Sequence, residues 1–140
     1  MTEDLLARPL VPVADPDDAR ATYEQFRPYL LGTGAVALVV HVAEKAGGAP
    51  DKSGVEQSRV LAEEAFDVFC GLAETDGIEV ETQVLYGTDV AETVHEAAAD
   101  HDASAVVFRS RGGSRWLELL SGNVRANLVA GSERPVVVLP

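Results

Sequence analysis

The chain predicts an α/β fold: an open five-stranded parallel sheet with helices on both faces, in a single domain over residues 1–140. Short apolar runs alternate with longer amphipathic segments, in the order β-α-β-α-β-α-β-α-β. The segments between strands are long enough for a helix to cross over to a parallel neighbour. One run, residues 35–42, is apolar throughout apart from His41, which suits a central strand buried on both faces.

The elements follow in order. Leu-Val-Pro-Val-Ala at 10–14 reads as the first strand, and Pro12, lacking an N–H, belongs near its end or at a sheet margin. Asp15-Pro16-Asp17-Asp18 is a helix start, with Asp15 as cap and Pro16 in the first turn. Ala19, Tyr23, Phe26 and Leu30 recur at helical spacing, and Gly32 and Gly34 end that helix. After the strand at 35–42, residues 43–54 are a loop by composition, and Ser53 with Glu56 has capping-box spacing. Val55, Leu61, Ala65, Val68, Phe69 and Leu72 share one side of the second helix, whose exit is at Gly71 or Gly77.

Ile78, Val80, Thr82 and Val84 alternate with Glu79, Glu81 and Gln83, a strand with one polar face near a sheet edge. Tyr86-Gly87 turns the chain, and Thr88 or Asp89 caps a third helix with Val90, Val94 and Ala97 inward. Residues 103–108 form the fourth strand. Trp116, Leu117, Leu120, Val124 and Leu128 build a fourth helix closed by Gly131, and 134–139 is the fifth strand.

Composition bounds the function. The formal net charge is −12, which argues against nucleic acid and against anionic membrane surfaces. Two lysines against nine arginines, with many dispersed acids, fit a salt-adapted surface. No apolar run approaches the ~20 residues of a membrane span, and Met-Thr-Glu-Asp is unlike a signal peptide, so a cytoplasmic protein is expected. The single cysteine, Cys70, allows no internal disulfide and no structural zinc site, and reads as a core filler four residues after Phe66.

Charge is unevenly placed. Residues 1–108 hold 21 acids and 6 bases, whereas 109–140 hold five arginines and two acids. Arg109, Arg111 and Arg115 follow the fourth strand within seven residues, around Gly112 and ahead of a helix. A glycine turn at a helix N-terminus presents free N–H groups and partial positive charge, an arrangement that holds anions. In open α/β sheets ligands bind beyond the carboxyl ends of the strands, which is where this cluster falls.

The order and spacing of these pieces resemble the universal stress protein family over nearly the whole chain. The residues that carry the resemblance are 10–15, His41-Val42, Gly87, Ser110-Arg111-Gly112 and Pro135-Val136-Val137-Val138. It implies a Rossmann-like fold, a cytoplasmic homodimer joined through the C-terminal strand, and a nucleotide site. In nucleotide-binding members the fourth strand is followed by Gly, two residues, Gly, nine residues, Gly, then Ser or Thr. Gly112 and Gly122 fit; Arg109 stands for the first glycine and Asn123 for the hydroxyl residue. The acid after the first strand corresponds to Asp15, or the register puts Ala14 there. Pro12, Val42, Phe108 and Val124 would complete the lining by motif position.

With two motif positions changed, the expected function is binding or regulation without tight ATP affinity, with no other cofactor and no metal. A small anion fits the arginines. Two alternatives remain: Arg109 as a phosphate clamp in an ATP-binding member, or the cluster as a dock for an acidic partner. Catalysis is not expected. Ser110, Ser114 and Ser121 have no evident base, and His95 and His101 have no partners at metal spacing. His41 reads as a satisfied structural histidine at a strand end.

Overall fold

A computed structural model describes residues 4–44, 52–109 and 123–140. The strands are β1 (Pro9–Pro12), β2 (Val36–Glu44), β3 (Glu79–Gly87), β4 (Ala105–Arg109) and β5 (Val136–Leu139). The helices are α1 (Pro16–Leu30), α2 (Lys52–Thr75), α3 (Val90–Asp100) and α4 (Asn123–Ala130). The strands lie in the order β3-β2-β1-β4-β5 and every pair is parallel. The chain therefore winds outward from β1 to β3, then returns to the other side of β1 for β4 and β5. The direction reverses between β1 and β4, and the carboxyl ends of these two strands form the switch point where such sheets take ligands.

Side-chain alternation divides the core into two layers. Val11, Val13, Ala37, Val39, Ala105 and Val107 face α1 and α2, packing on Ala19, Tyr23, Phe26, Ala65 and Phe69. Leu10, Leu38, Val40, Val106 and Phe108 face α3 and α4, packing on Val90, Val94, Ala98 and Leu128. The expected burial of the 35–42 run holds: Ala37, Leu38, Val39 and Val40 are all buried, and β2 lies between β1 and β3. The half-polar strand β3 is an edge, as its alternation required.

Local chemistry explains the boundaries. Asp15 caps α1 by accepting the Asp18 N–H at 2.7 Å, and Pro16 opens the helix. Asp89, not Thr88, caps α3, accepting the Glu92 N–H at 3.0 Å. The second helix runs through Gly71 and leaves at Gly77, whose φ of +71° only glycine adopts readily. It is already helical at Lys52, one residue ahead of the expected Ser53 cap. The fourth strand starts at Ala105 and not at 103, because Ala103 N–H closes on Ala98 O and Ser104 N–H on Arg8 O. The fifth starts at Val136, since Ser132 and Arg134 bond each other in a turn. Cys70 is only half-buried beside Glu74, Ile78 and Val80, at the rim of the α2–β3 layer and not within it.

Two arginines tie the amino ends of the strands. Arg8 Nε donates to His101 O at 2.9 Å, and Arg134 Nε donates to Ala103 O at 3.0 Å. Arg134 therefore sits at the opposite end of the sheet from the switch point. Its charge belongs to a structural clamp, although it adds to the basic balance of the last 32 residues. Among the described residues no helix is long and apolar enough to cross a membrane.

Candidate functional site

The switch point is built from the ends of β1 and β4 and the start of α1. Sheet alternation sends the expected site residues to different faces. Phe108 and Val42 lie on the α3/α4 side, Phe108 fully buried and Val42 partly. Pro12, two residues after Leu10, closes β1 on that same side and is buried. Arg109 has the parity of Ala105 and Val107 and turns to the α1/α2 side.

There Arg109 meets Asp18. Arg109 Nη2 lies 3.6 Å from Asp18 Oδ1, while the other carboxylate oxygen, Oδ2, accepts the Ala14 N–H at 2.8 Å. Asp18 is 5 % exposed and the Arg109 side chain 18 %. A buried carboxylate is costly unless paired and hydrogen-bonded, and both conditions are met here. The first turn of α1 thus carries a reciprocal cap: Asp15 accepts from Asp18, and Asp18 accepts from the residue before Asp15. The Arg109 Nε–H is buried without an acceptor among the described residues. Thr22, one turn beyond Asp18 on the same face of α1, is fully buried with its hydroxyl likewise unmatched there.

Asp15 is half-buried and its Oδ1 accepts the helix-cap bond. Ser110, Arg111, Gly112, Ser114, Arg115, Trp116, Ser121 and Gly122 lie outside the described residues. Asn123 and Val124 open α4. The structure therefore brings Pro12, Asp15 and Arg109 to the switch point, with Phe108 beside Arg109 in β4 but on the opposite face, and Val42 on the neighbouring strand β2.

Sequence reasoning missed Asp18. It stood only as the last residue of the Asp15-Pro16-Asp17-Asp18 helix start, since its partner Arg109 lies far along the chain. It also missed what surrounds His41. This ring is 6 % exposed and packed on the α1/α2 side, with Nδ1 2.9 Å from Val13 O and Nε2 3.0 Å from Ser58 Oγ. Burial lowers its pKa from the usual 6.5, against a raising influence from the Val13 bond and the Asp15 carboxylate. His95 and His101 do not converge: His95 Nε2 approaches Asn127 O, and His101 Nε2 meets Gln83 Oε1. A shallow groove between α3 and α4 carries Asp89, Glu92, Glu96 and Glu133 against the one arginine Arg134, so acids predominate along it.

The chain can be set beside known proteins on this geometry. UspA from Lactobacillus plantarum is 18% identical, with 99% of this chain and 100% of that one covered, and a TM-score of 0.74. The universal stress protein from Archaeoglobus fulgidus in complex with dAMP is 18% identical over 98% and 100% of the two chains, TM-score 0.67. A universal stress protein family member from Arabidopsis thaliana with AMP bound is 20% identical over 94% and 90%, TM-score 0.65. None of the curated proteins matches the chain. The universal stress protein family model matches residues 8–140, from the residue before β1 to the C-terminus, and with the sheet order and switch point described above the chain belongs to the universal stress protein family.

Proposed function

We propose that this protein is a regulatory binding domain that works without turnover, at the carboxyl ends of β1 and β4, with only weak affinity for ATP. The observation that carries this reading is the Arg109–Asp18 pair. Close approach of phosphates to backbone requires small residues at the strand end. Here a long side chain occupies that position, and its charge is already matched by a buried carboxylate. Two relatives of the same fold carry AMP and dAMP, which supports a nucleotide as the ligand class. Asn123 in place of a hydroxyl residue points in the same direction as Arg109, toward loosened phosphate contacts. A cytoplasmic homodimer joined along β5 completes the proposal.

The test is calorimetry with magnesium ATP and with AMP. The expected result is no ATP binding tighter than about 100 μM, roughly 5.5 kcal/mol. The double change Arg109→Gly with Asn123→Ser should tighten it.

A second reading has its own observation. The Arg109 Nε–H is buried without an acceptor among the described residues, and an anion arriving there would supply one. Arg109 would then be a clamp for phosphate. Micromolar ATP binding that Arg109→Gly weakens would establish this reading and end the first.

A further inference from the structure

We propose that Ser58 is a covalent acceptor site, a serine whose hydroxyl His41 activates for attack on an activated acyl ester. Val13 O can only accept a hydrogen bond, so His41 Nδ1, 2.9 Å away, carries the ring proton. In the neutral ring Nε2 is then a lone pair, and Ser58 Oγ, 3.0 Å from it, is the donor. Burial of the imidazole favours that neutral state. Nucleophile, base and orienting group are thus connected in sequence: Ser58 hydroxyl, His41 imidazole, Val13 carbonyl. This is the relation that activates serine nucleophiles, with a backbone carbonyl in the place of the orienting carboxylate.

Several other aliphatic hydroxyls among the described residues are bonded differently. Thr33, Thr75, Thr93 and Ser132 donate to backbone carbonyls, which do not take a proton. Ser58 donates to a base. Ser58 is half-buried in the first half of α2, and the imidazole it meets is buried. Asp15, whose carboxylate favours the charged ring, lies near enough to stabilise the imidazolium that forms during attack.

Ser58 Oγ bonds to the carbonyl carbon of the ester, and its proton passes to His41 Nε2 while Nδ1–H stays on Val13 O. The ester C–O bond breaks, and the leaving alkoxide or phenolate takes the proton back from Nε2. The products are O-acyl-Ser58 and a free alcohol or phenol, with His41 neutral again. The outcome is a modified protein and needs no repeated turnover. It is also independent of the ligand reading, because neither residue belongs to the Arg109–Asp18 pair.

The probe is para-nitrophenyl acetate, read by nitrophenol release and by peptide mass. About one acetyl group per chain should appear on Ser58, and Ser58→Ala should abolish it. His41→Gln, which keeps a donor for Val13 O but has no base, should slow the reaction about 100-fold, with its melting curve showing that it is folded. Should that variant not fold, the wild-type chain in concentrated urea decides: acetylation of Ser58 should disappear with the fold. Acetyl groups confined to lysines or the N-terminus, equal labelling of Ser58 in urea, or wild-type rates in folded His41→Gln would each overturn the proposal.

Discussion

Arg109, the last residue of β4, lies 3.6 Å from Asp18 in the first turn of α1, so an ion pair spans the switch point of the sheet. Asp18 serves two masters: one oxygen faces the guanidinium and the other holds the Ala14 N–H. Separating the two roles gives a prediction. Asp18→Asn keeps an oxygen for Ala14 but removes the charge matched to Arg109. Binding of inorganic phosphate, measured by calorimetry, should then strengthen relative to wild type. Asp18→Ala removes both roles and leaves Arg109 unpaired in a mostly buried site, so unfolding in urea should show a loss of about 3 kcal/mol. Equal stability of Asp18→Ala and wild type would mean that the pair contributes nothing.

Gly87 ends β3 for a steric reason. A methyl group there would overlap Thr93 Oγ1 and press on Thr93 Cβ and Cγ2 at 3.1 and 3.2 Å. Thr93 cannot swing away freely, because it is β-branched in a helix and its hydroxyl donates to Asp89 O at 2.6 Å. Gly87→Ala should cost about 1–3 kcal/mol by denaturant melting. Thr93→Ala in the same chain should recover most of that loss, a coupling that a double-mutant cycle reads directly.

The fold was legible because its signals are periodic and local. The apolar run at 35–42 needs a two-faced environment, the Glu79–Gln83 alternation needs an edge, and Asp15-Pro16 and Asp89 write their helix starts within four residues. The site was less legible because its contacts are remote in sequence. Nothing near Asp18 distinguishes it from Asp17, yet one is buried on Arg109 and the other is exposed. Nothing near Ser58 marks it either, since its partner ring is in β2. Parity is the signal that could have helped. Counting from Ala105 and Val107 puts Arg109 on the α1 side and away from Phe108, which separates two residues grouped together by motif position. The remainder of that motif, Arg111 through Gly122, lies outside the described residues.

The pH dependence of stability should have two arms. Burial holds His41 below its ordinary 6.5, so the unfolded chain binds a proton that the folded chain refuses. The His41 contribution is fully present above about 6.5 and is lost as pH falls toward the lowered folded value. At the other end, burial and the Asp76 carboxylate push Tyr23 up to about 12 from 10.0. The unfolded chain releases that proton first, so this contribution is complete below pH 10 and disappears between 10 and about 12. Melting temperatures across pH should fall in both windows. Tyr23→Phe should remove much of the alkaline decline, and an unchanged alkaline arm would show that the Tyr23 proton is not linked to folding.

The exposed margin of the sheet bears on assembly. Strand β5 has β4 on one side and no described strand on the other. Along it Leu139 is buried while Val138 is 46 % exposed, and Val129 on α4 is exposed as well. An apolar edge strand is a template for pairing, and a two-fold interface would set the same strand of a second copy against it. Light scattering of the intact protein at micromolar concentration should therefore report twice the chain mass. Val138→Lys places a charge on the edge without touching the buried Leu139, so it should yield a folded monomer, with circular dichroism and melting behaviour close to those of the unmixed wild-type chain when dilute. Monomeric wild type at micromolar concentration would remove the interface, and a Val138→Lys dimer would move it to another face.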